Sequence, residues 1–184
     1  MAEAAEFDVV ILGAGSGGYA CALRAAQLGL SVALVEKGKL GGTCLHVGCI
    51  PTKALLHAAE VADGARESEQ FGVRATFEGI DMAGVNRYKD GVVERLYKGL
   101  AGLIKGRGIT VVEGEGRLTG PRTVTVTSST ATTSQPRSYV GKSVVLASGS
   151  YSRSLPGLDV DGEHVITSEH ALRLDRVPAS VIVL

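Results

Sequence analysis

A thirteen-residue segment at positions 41–53, GGTCLHVGCIPTK, carries the residues best able to do chemistry. Cys44 and Cys49 lie five positions apart, and Lys53 lies one helical turn beyond the second cysteine. A disulfide that closes so short a loop removes little entropy from the unfolded chain, so reactivity explains the pair better than stabilisation does. The first turn of a helix favours a thiolate, and a nearby cation stabilises negative charge. The segment therefore predicts a pair of reactive thiols.

Two other interpretations of the pair remain open from the residues alone. A zinc site would need two further ligands, but the one other cysteine is Cys21 and the four histidines are scattered. The two thiols could instead be structural, as we expect for Cys21 in the core. His46, between the cysteines, is a candidate base, although a steric role is the simpler interpretation. No metal site is predicted.

A second motif lies upstream, at residues 13–18, where GAGSGG matches the pattern G-x-G-x-x-G. An apolar run at 7–12 precedes it and predicts a buried parallel strand. A helix is predicted at 19–28, followed by a second buried strand at 31–35 that ends at Glu36. This strand–turn–helix–strand context supports a dinucleotide-binding unit in an α/β fold.

Each part of the glycine motif has its own physical role. Gly13 permits the tight turn, Gly15 lets the backbone approach a pyrophosphate, and Gly18 lets the helix pack close to the strand. The helix N-terminus offers free N–H groups to phosphates. Glu36 is placed to accept hydrogen bonds from ribose hydroxyls, and its charge argues against a 2′-phosphate. The motif does not separate FAD from NAD, because both use it.

The rest of the chain continues the α/β pattern. Helices are predicted at 44–65, with a distorted start near Gly48 and Pro51, at 81–105 and at 168–174; strands are predicted at 109–112, 124–127, 143–147 and 180–184, with an exposed Ser/Thr-rich loop at 128–138.

The composition excludes several classes of function. The chain has 184 residues with 19 basic and 19 acidic side chains, so its charge gives no case for a nucleic-acid partner or a membrane surface. No apolar stretch approaches the length of a membrane span, and the short acidic N-terminus is unlike a secretory signal. Three cysteines do not make a secreted disulfide framework. We therefore expect a cytoplasmic protein.

Nearly the whole sequence resembles the flavin-dependent pyridine nucleotide–disulfide oxidoreductases, and among them the dihydrolipoamide dehydrogenases. The resemblance is carried by residues 13–18, Glu36, 41–57, 113–116 and 144–150. It implies a Rossmann-like FAD-binding domain with a parallel central sheet and an inserted antiparallel β-meander, in three layers.

The resemblance also implies which residues form the site. It implies FAD contacts for Gly13, Gly15, Gly18, Glu36, Lys37, Gly42, Thr43, Cys44, Lys53, Gly116, Ser148 and Gly149. It further implies a redox disulfide, in which Cys49 lies next to the flavin and Cys44 exchanges with substrate. The sequence departs from the family at His46, where asparagine is common, and at 151–153, which lack a frequent proline.

The implied activity is oxidation of dihydrolipoamide on the acyltransferase component of 2-oxoacid dehydrogenase complexes, with NAD as final acceptor, in a homodimer. Residues 1–178 would form an incomplete FAD domain and 179–184 the first strand of an NAD-binding domain. The rest of that domain and a C-terminal dimerisation domain with a histidine–glutamate pair would lie outside the 184 residues, so we expect incomplete turnover. The alternatives are a related reductase for mercuric ion or a small disulfide, and a catalytically silent flavin-binding fragment.

Overall fold

The computed structural model of the chain describes residues 4–128 and 135–184. The chain forms two compact units. The first unit comprises Met1–Cys44 and Leu96–Tyr151 and contains the sheet; the second comprises Leu45–Arg95 and Ser152–Leu184.

Six strands and five helices follow one another along the described residues. The strands are β1 (Ala5–Leu12), β2 (Val32–Glu36), β3 (Thr110–Glu113), β4 (Glu115–Gly120), β5 (Thr123–Thr127) and β6 (Arg137–Leu146). The helices are α1 (Ser16–Gln27), α2 (Gly42–Val47), α3 (Cys49–Arg66), α4 (Met82–Gly106) and α5 (Ser168–Ala171), with a 3₁₀ turn at Ser68–Phe71.

The strands form one sheet in the order β3-β2-β1-β6-β5-β4. β1 pairs in parallel with β2 and β6, and β2 pairs in parallel with β3. β5 runs antiparallel to both β4 and β6. β1 therefore lies between two parallel neighbours, and in open α/β sheets ligands bind beyond the carboxyl ends of such strands. The predicted Rossmann-like sheet with an antiparallel meander is confirmed.

The core of the first unit lies on both faces of the parallel strands, because neighbouring residues of a strand point to opposite faces. Ile11 and Leu34 belong to a buried cluster that includes side chains of α1 and the C-terminal end of α4. Val10 belongs to a second cluster, with Val124 and Val126 of the meander. Burial on both faces explains why β1 and β2 are nearly continuous apolar runs.

The helix predicted at 44–65 is two helices, so the predicted continuity was wrong. Gly48 separates α2 from α3 with φ −146° and ψ −116°, a backbone conformation outside the helical region. The predicted helix at 81–105 is confirmed as α4, although several glycines interrupt its sequence.

Three strand or loop predictions have other outcomes. β4 was not predicted at all, and β6 begins at Arg137, six residues before the predicted start. Of the predicted loop at 128–138, residues 129–134 lie outside the described part of the chain. Residues 180–184, which the structure describes, form no strand and are exposed, so the strand predicted there was wrong. That they begin a second nucleotide-binding domain stays a prediction.

Candidate cofactor and redox site

The turn after β1 packs so tightly that it requires glycine at two positions. Gly13 has φ +103°, its N–H donates to the Val35 carbonyl at 2.8 Å, and an added Cβ would lie 2.1 Å from the Ala147 carbonyl oxygen. A Cβ at Gly18 would lie 1.8 Å from the carbonyl oxygen of Gly13. The backbone of the turn therefore packs directly against the start of α1 and the residue that follows β6, with no room for side chains between them.

The start of α1 is open to a ligand. Gly15 is its N-cap residue, no side chain caps the helix, and its first turn contains no acidic residue. Among residues 4–128 and 135–184, a Cβ added at Gly15 would have only the Gly42 Cα within 4 Å, at 4.0 Å. Free N–H groups and the positive end of the helix dipole suit a phosphate group, so the geometry fits a pyrophosphate here.

Gly42, the first residue of α2, approaches the same turn. It has φ +60°, and a Cβ there would lie 2.6 Å from the Gly15 Cα. This contact places the start of α2 against the open end of α1. Thr43 is exposed and Cys44 half-buried in the residues that follow. The Gly15–Gly42 contact thus lies at the predicted phosphate site, and Cys44, a predicted redox cysteine, follows Gly42 by two residues.

Glu36 ends β2 beside the glycine turn. One carboxylate oxygen, Oε2, accepts a hydrogen bond from the Ala14 N–H at 2.7 Å, and Oε1 accepts one from the Gly38 N–H at 2.8 Å. Each oxygen has a further lone pair, and Glu36 is only half-buried, so its carboxylate can still accept hydrogen bonds from ribose hydroxyls. Lys37 follows it and is exposed. Sequence reasoning missed Ala14 because the motif leaves that position unspecified.

The other predicted residues of the first unit lie on β4 and after β6. A Cβ at Gly116 would lie 2.5 Å from Leu12 Cδ1, so β4 packs closely on the end of β1. Ser148 and Gly149 are exposed and follow Ala147, whose N–H donates to the Leu12 carbonyl at 2.8 Å. All three predicted residues therefore belong to segments that meet the carboxyl end of β1.

The two cysteines occupy different helices. Cys44 lies in α2, and Cys49 is the exposed first residue of α3. Both are thiols in this structure. α3 is 18 residues long and has no acidic residue in its first turn. Lys53 lies one turn further along α3 and is exposed.

The described residues also bear on metal binding, on Cys21 and on membrane spans. Within residues 4–128 and 135–184, no group of three or more His, Cys, Asp or Glu side chains is placed to hold a metal ion. Cys21 packs against the apolar cluster around α1. None of the helices in the described ranges is both long and apolar enough to span a membrane.

A cavity of about 320 Å³ lies at the other end of β1 from the glycine turn. Its lining includes Asp8, Ser31 and Lys142, and none of the residues predicted for the site. The cavity therefore has no part in the cofactor site described above.

Known proteins match this chain over nearly its whole length. Residues 7–184 match the family model described as pyridine nucleotide-disulphide oxidoreductase. Dihydrolipoyl dehydrogenase of Bacillus subtilis (strain 168) is 47% identical, over 98% of this chain and 39% of its own length. Mitochondrial dihydrolipoyl dehydrogenase of Dictyostelium discoideum is 42% identical over 96% of this chain and 36% of its own length.

Leghemoglobin reductase of Vigna unguiculata is 39% identical over 97% of this chain and 34% of its own length. The chain thus spans less than two fifths of each of these three relatives. The family model extends over both the glycine turn and the cysteine pair, with the fold that carries them. The chain belongs to the pyridine nucleotide-disulphide oxidoreductase family.

Proposed function

We propose that this chain forms the FAD-binding and redox-thiol part of a flavin-dependent disulfide oxidoreductase of the dihydrolipoamide dehydrogenase type. The observation that carries the proposal is the contact between Gly15 and Gly42. It joins the open N-terminus of α1, which suits a pyrophosphate, to the helix that carries Cys44. A nucleotide cofactor and a reactive thiol can therefore share one site.

The chain's own groups would hold the cofactor along its length. The turn of Gly13, Gly15 and Gly18 would receive the pyrophosphate, and Glu36 would accept the ribose hydroxyls. We assign the remaining FAD contacts to Lys37, Gly42, Thr43, Cys44, Lys53, Gly116, Ser148 and Gly149. When bound, FAD supplies a two-electron acceptor that regenerates the cysteine disulfide.

The proposed chemistry of the thiols is thiol–disulfide exchange. A substrate thiolate attacks Sγ of Cys44 in the oxidised pair, the Cys44–Cys49 bond breaks, and Cys49 leaves as a thiolate at the start of α3. The second substrate thiolate then attacks the substrate sulfur of the mixed disulfide and releases Cys44. The substrate leaves as a disulfide, its two protons pass to solvent, and its two electrons remain on the cysteine pair.

The similarity to dihydrolipoyl dehydrogenases supports a proposal for the substrate. We propose dihydrolipoamide on the acyltransferase component of 2-oxoacid dehydrogenase complexes, with NAD as final acceptor, in a cytoplasmic homodimer. NAD would bind a second domain that begins at residues 179–184. A relative named leghemoglobin reductase matches the same range, so this part of the chain is shared by reductases of different names. A related reductase for mercuric ion or a small disulfide is therefore the second candidate, and a silent flavin-binding fragment the third.

The visible absorption spectrum tests the proposal. The purified chain is mixed with FAD, freed of excess cofactor and reduced anaerobically with a dithiol. We expect bound flavin and, after reduction, a long-wavelength thiolate-to-flavin band. Cys44→Ser should keep that band and Cys49→Ser should lose it, although both should bind FAD. A chain that takes up no FAD, or a band that survives in Cys49→Ser, would contradict the proposal.

A further inference from the structure

Lys89 on α4 is a buried charge outside the proposed redox site. Of the charged residues that the structure describes, Lys89 alone is buried, with 8% of its side chain exposed. Burying an ammonium group costs free energy unless acceptors satisfy its three N–H donors. Its partners therefore indicate what the side chain does.

Three oxygens surround the ammonium group of Lys89. Nζ donates to the Leu172 carbonyl at 2.7 Å and to Asn86 Oδ1 at 2.9 Å, and it lies 3.4 Å from Asp90 Oδ1. The carboxylate of Asp90 is 72% exposed, so this ion pair lies at the surface and contributes little. The shortest contact of the buried charge is thus with a backbone carbonyl.

Asn86 makes a parallel contact from the same face of α4. Its Nδ2 donates to the Leu174 carbonyl at 2.9 Å, and residues three apart on a helix share a face. Leu172 is the C-cap residue of α5. Backbone carbonyls at the C-terminal end of a helix lack partners within the helix, and they interact favourably with a cation. We call Asn86 and Lys89 the α4 clamp. It binds alternate backbone carbonyls after α5, so it fixes the course of the backbone rather than recognising side chains.

The segment that the α4 clamp holds is also ordered by its own caps. Asp161 Oδ1 accepts the N–H groups of Glu163, His164 and Val165, each at 2.8 Å. Thr167 and His170 form a capping box at the start of α5. These contacts are internal to residues 161–170. The α4 clamp supplies what they lack, an attachment of the end of α5 to another helix.

We propose that the α4 clamp is a positioning device that fixes the direction in which residues 175–184 leave α5. In the longer proteins of the family, this direction would set the path of the chain into the next domain; that consequence rests on the function proposed above. The attachment itself is a property of the second unit, independent of any cofactor.

Hydrogen–deuterium exchange of the whole chain tests the α4 clamp. The amides of Leu172, Arg173 and Leu174 donate within the held turn, so their exchange reports its opening. Lys89→Met and Asn86→Ala should each speed this exchange by roughly tenfold, the effect expected for losing a hydrogen bond to a buried group. Lys105→Met, which removes an exposed lysine from the same helix, should leave it unchanged. Unchanged exchange in both clamp variants would overturn the proposal.

A second measurement needs no change at Lys89. Acetylation by an N-hydroxysuccinimide ester should label Lys89 roughly tenfold more slowly than Lys105, because the ester reaches the Lys89 amine only when the clamp opens. Asn86→Ala should raise the rate at Lys89 alone. Equal rates at the two lysines in the unaltered chain would overturn the proposal. Neither measurement uses FAD, so the clamp and the proposed flavin site can fail separately.

Discussion

At the scale of single residues, two neighbouring glycines of α1 differ in whether packing requires glycine. A Cβ at Gly18 would lie 1.8 Å from the Gly13 carbonyl oxygen, a backbone atom that cannot move alone. A Cβ at Gly17 would meet none of the described residues within 4 Å. The two residues share a helix and differ in what lies opposite, which makes them a matched pair.

Gly18→Ala is expected to lower the free energy of unfolding by about 1–3 kcal/mol, because overpacking forces α1 away from the turn. Gly17→Ala should raise the free energy of unfolding by roughly 0.5–1 kcal/mol, because alanine is the better helix former. Urea unfolding followed by far-ultraviolet circular dichroism measures both. Equal effects of the two substitutions would mean that α1 does not pack on the Gly13 carbonyl.

At the scale of secondary-structure elements, a polar network fastens β1 at the end away from the glycine turn. Asp8 Oδ2 accepts from the N–H and the hydroxyl of Ser31 at 2.8 Å, and Oδ1 pairs with Lys142 Nζ at 2.7 Å. The network joins β1, the residue before β2, and β6. The Lys142 hydrogen bond, and then Ser31, hold the pKa of Asp8 well below its usual range. Asp8 in turn raises the pKa of Lys142.

These shifts give the network a pH dependence with a defined sign. A carboxyl group whose pKa is depressed by folding stabilises the fold above its unfolded pKa of about 3.9, and this contribution is lost as pH falls towards the folded value. Lys142, with a raised pKa, contributes fully below about pH 10 and loses its contribution above the folded value. The network therefore stabilises the fold fully between about pH 5 and pH 9.

Asp8→Asn should accordingly lower the melting temperature at pH 7, and the gap to the unaltered chain should narrow at pH 3. Thermal unfolding at the two pH values measures this. Asp63→Asn, which removes a carboxylate from an exposed pair with Arg66, controls for the loss of one negative charge. A gap of the same size at both pH values would show that the Asp8 charge does not stabilise the fold.

Strands whose burial leaves an apolar run in the sequence were predictable. Strands that depend mainly on hydrogen bonding to a neighbouring strand were not. β1 and β2 are buried on both faces, so their apolar runs were sufficient. β4, with the sequence EGRLTG, has little β-branched character and exists because it pairs with β5. The first half of β6 has one fully buried residue, Gly141, and is a strand because it also pairs with β5 in the meander. Gly48 was recognised as a distortion, but sequence alone did not show that it ends a helix.

At the scale of the whole molecule, the predicted site residues are divided between the two units. Most of the predicted FAD contacts belong to the first unit, including the glycine turn and Glu36, whereas Cys49 and Lys53 belong to the second. The segment 41–53 is continuous in sequence, yet the division falls directly after Cys44. A motif read along the chain cannot reveal this division, because it is set by which residues pack together in space.

The division predicts where a bound cofactor protects the backbone. FAD that binds only the folded chain should raise the free energy of opening by about 2.7 kcal/mol at a hundredfold excess over its Kd. Hydrogen–deuterium exchange should therefore slow at residues 13–18 and 36–42, the two segments that carry the proposed pyrophosphate and ribose sites. Residues 168–174, held by the α4 clamp, should exchange at the same rate with and without FAD.

Riboflavin is the matched control, because it keeps the flavin ring but lacks the pyrophosphate and the adenosine. It should leave exchange at residues 13–18 unchanged. If riboflavin protected the glycine turn as well as FAD does, the protection would not come from phosphate binding. The assignment of the pyrophosphate to the N-terminus of α1 would then be wrong. If FAD protected only residues of the second unit, the ligand would be held by the thiol-bearing helix α3 and not by the nucleotide fold.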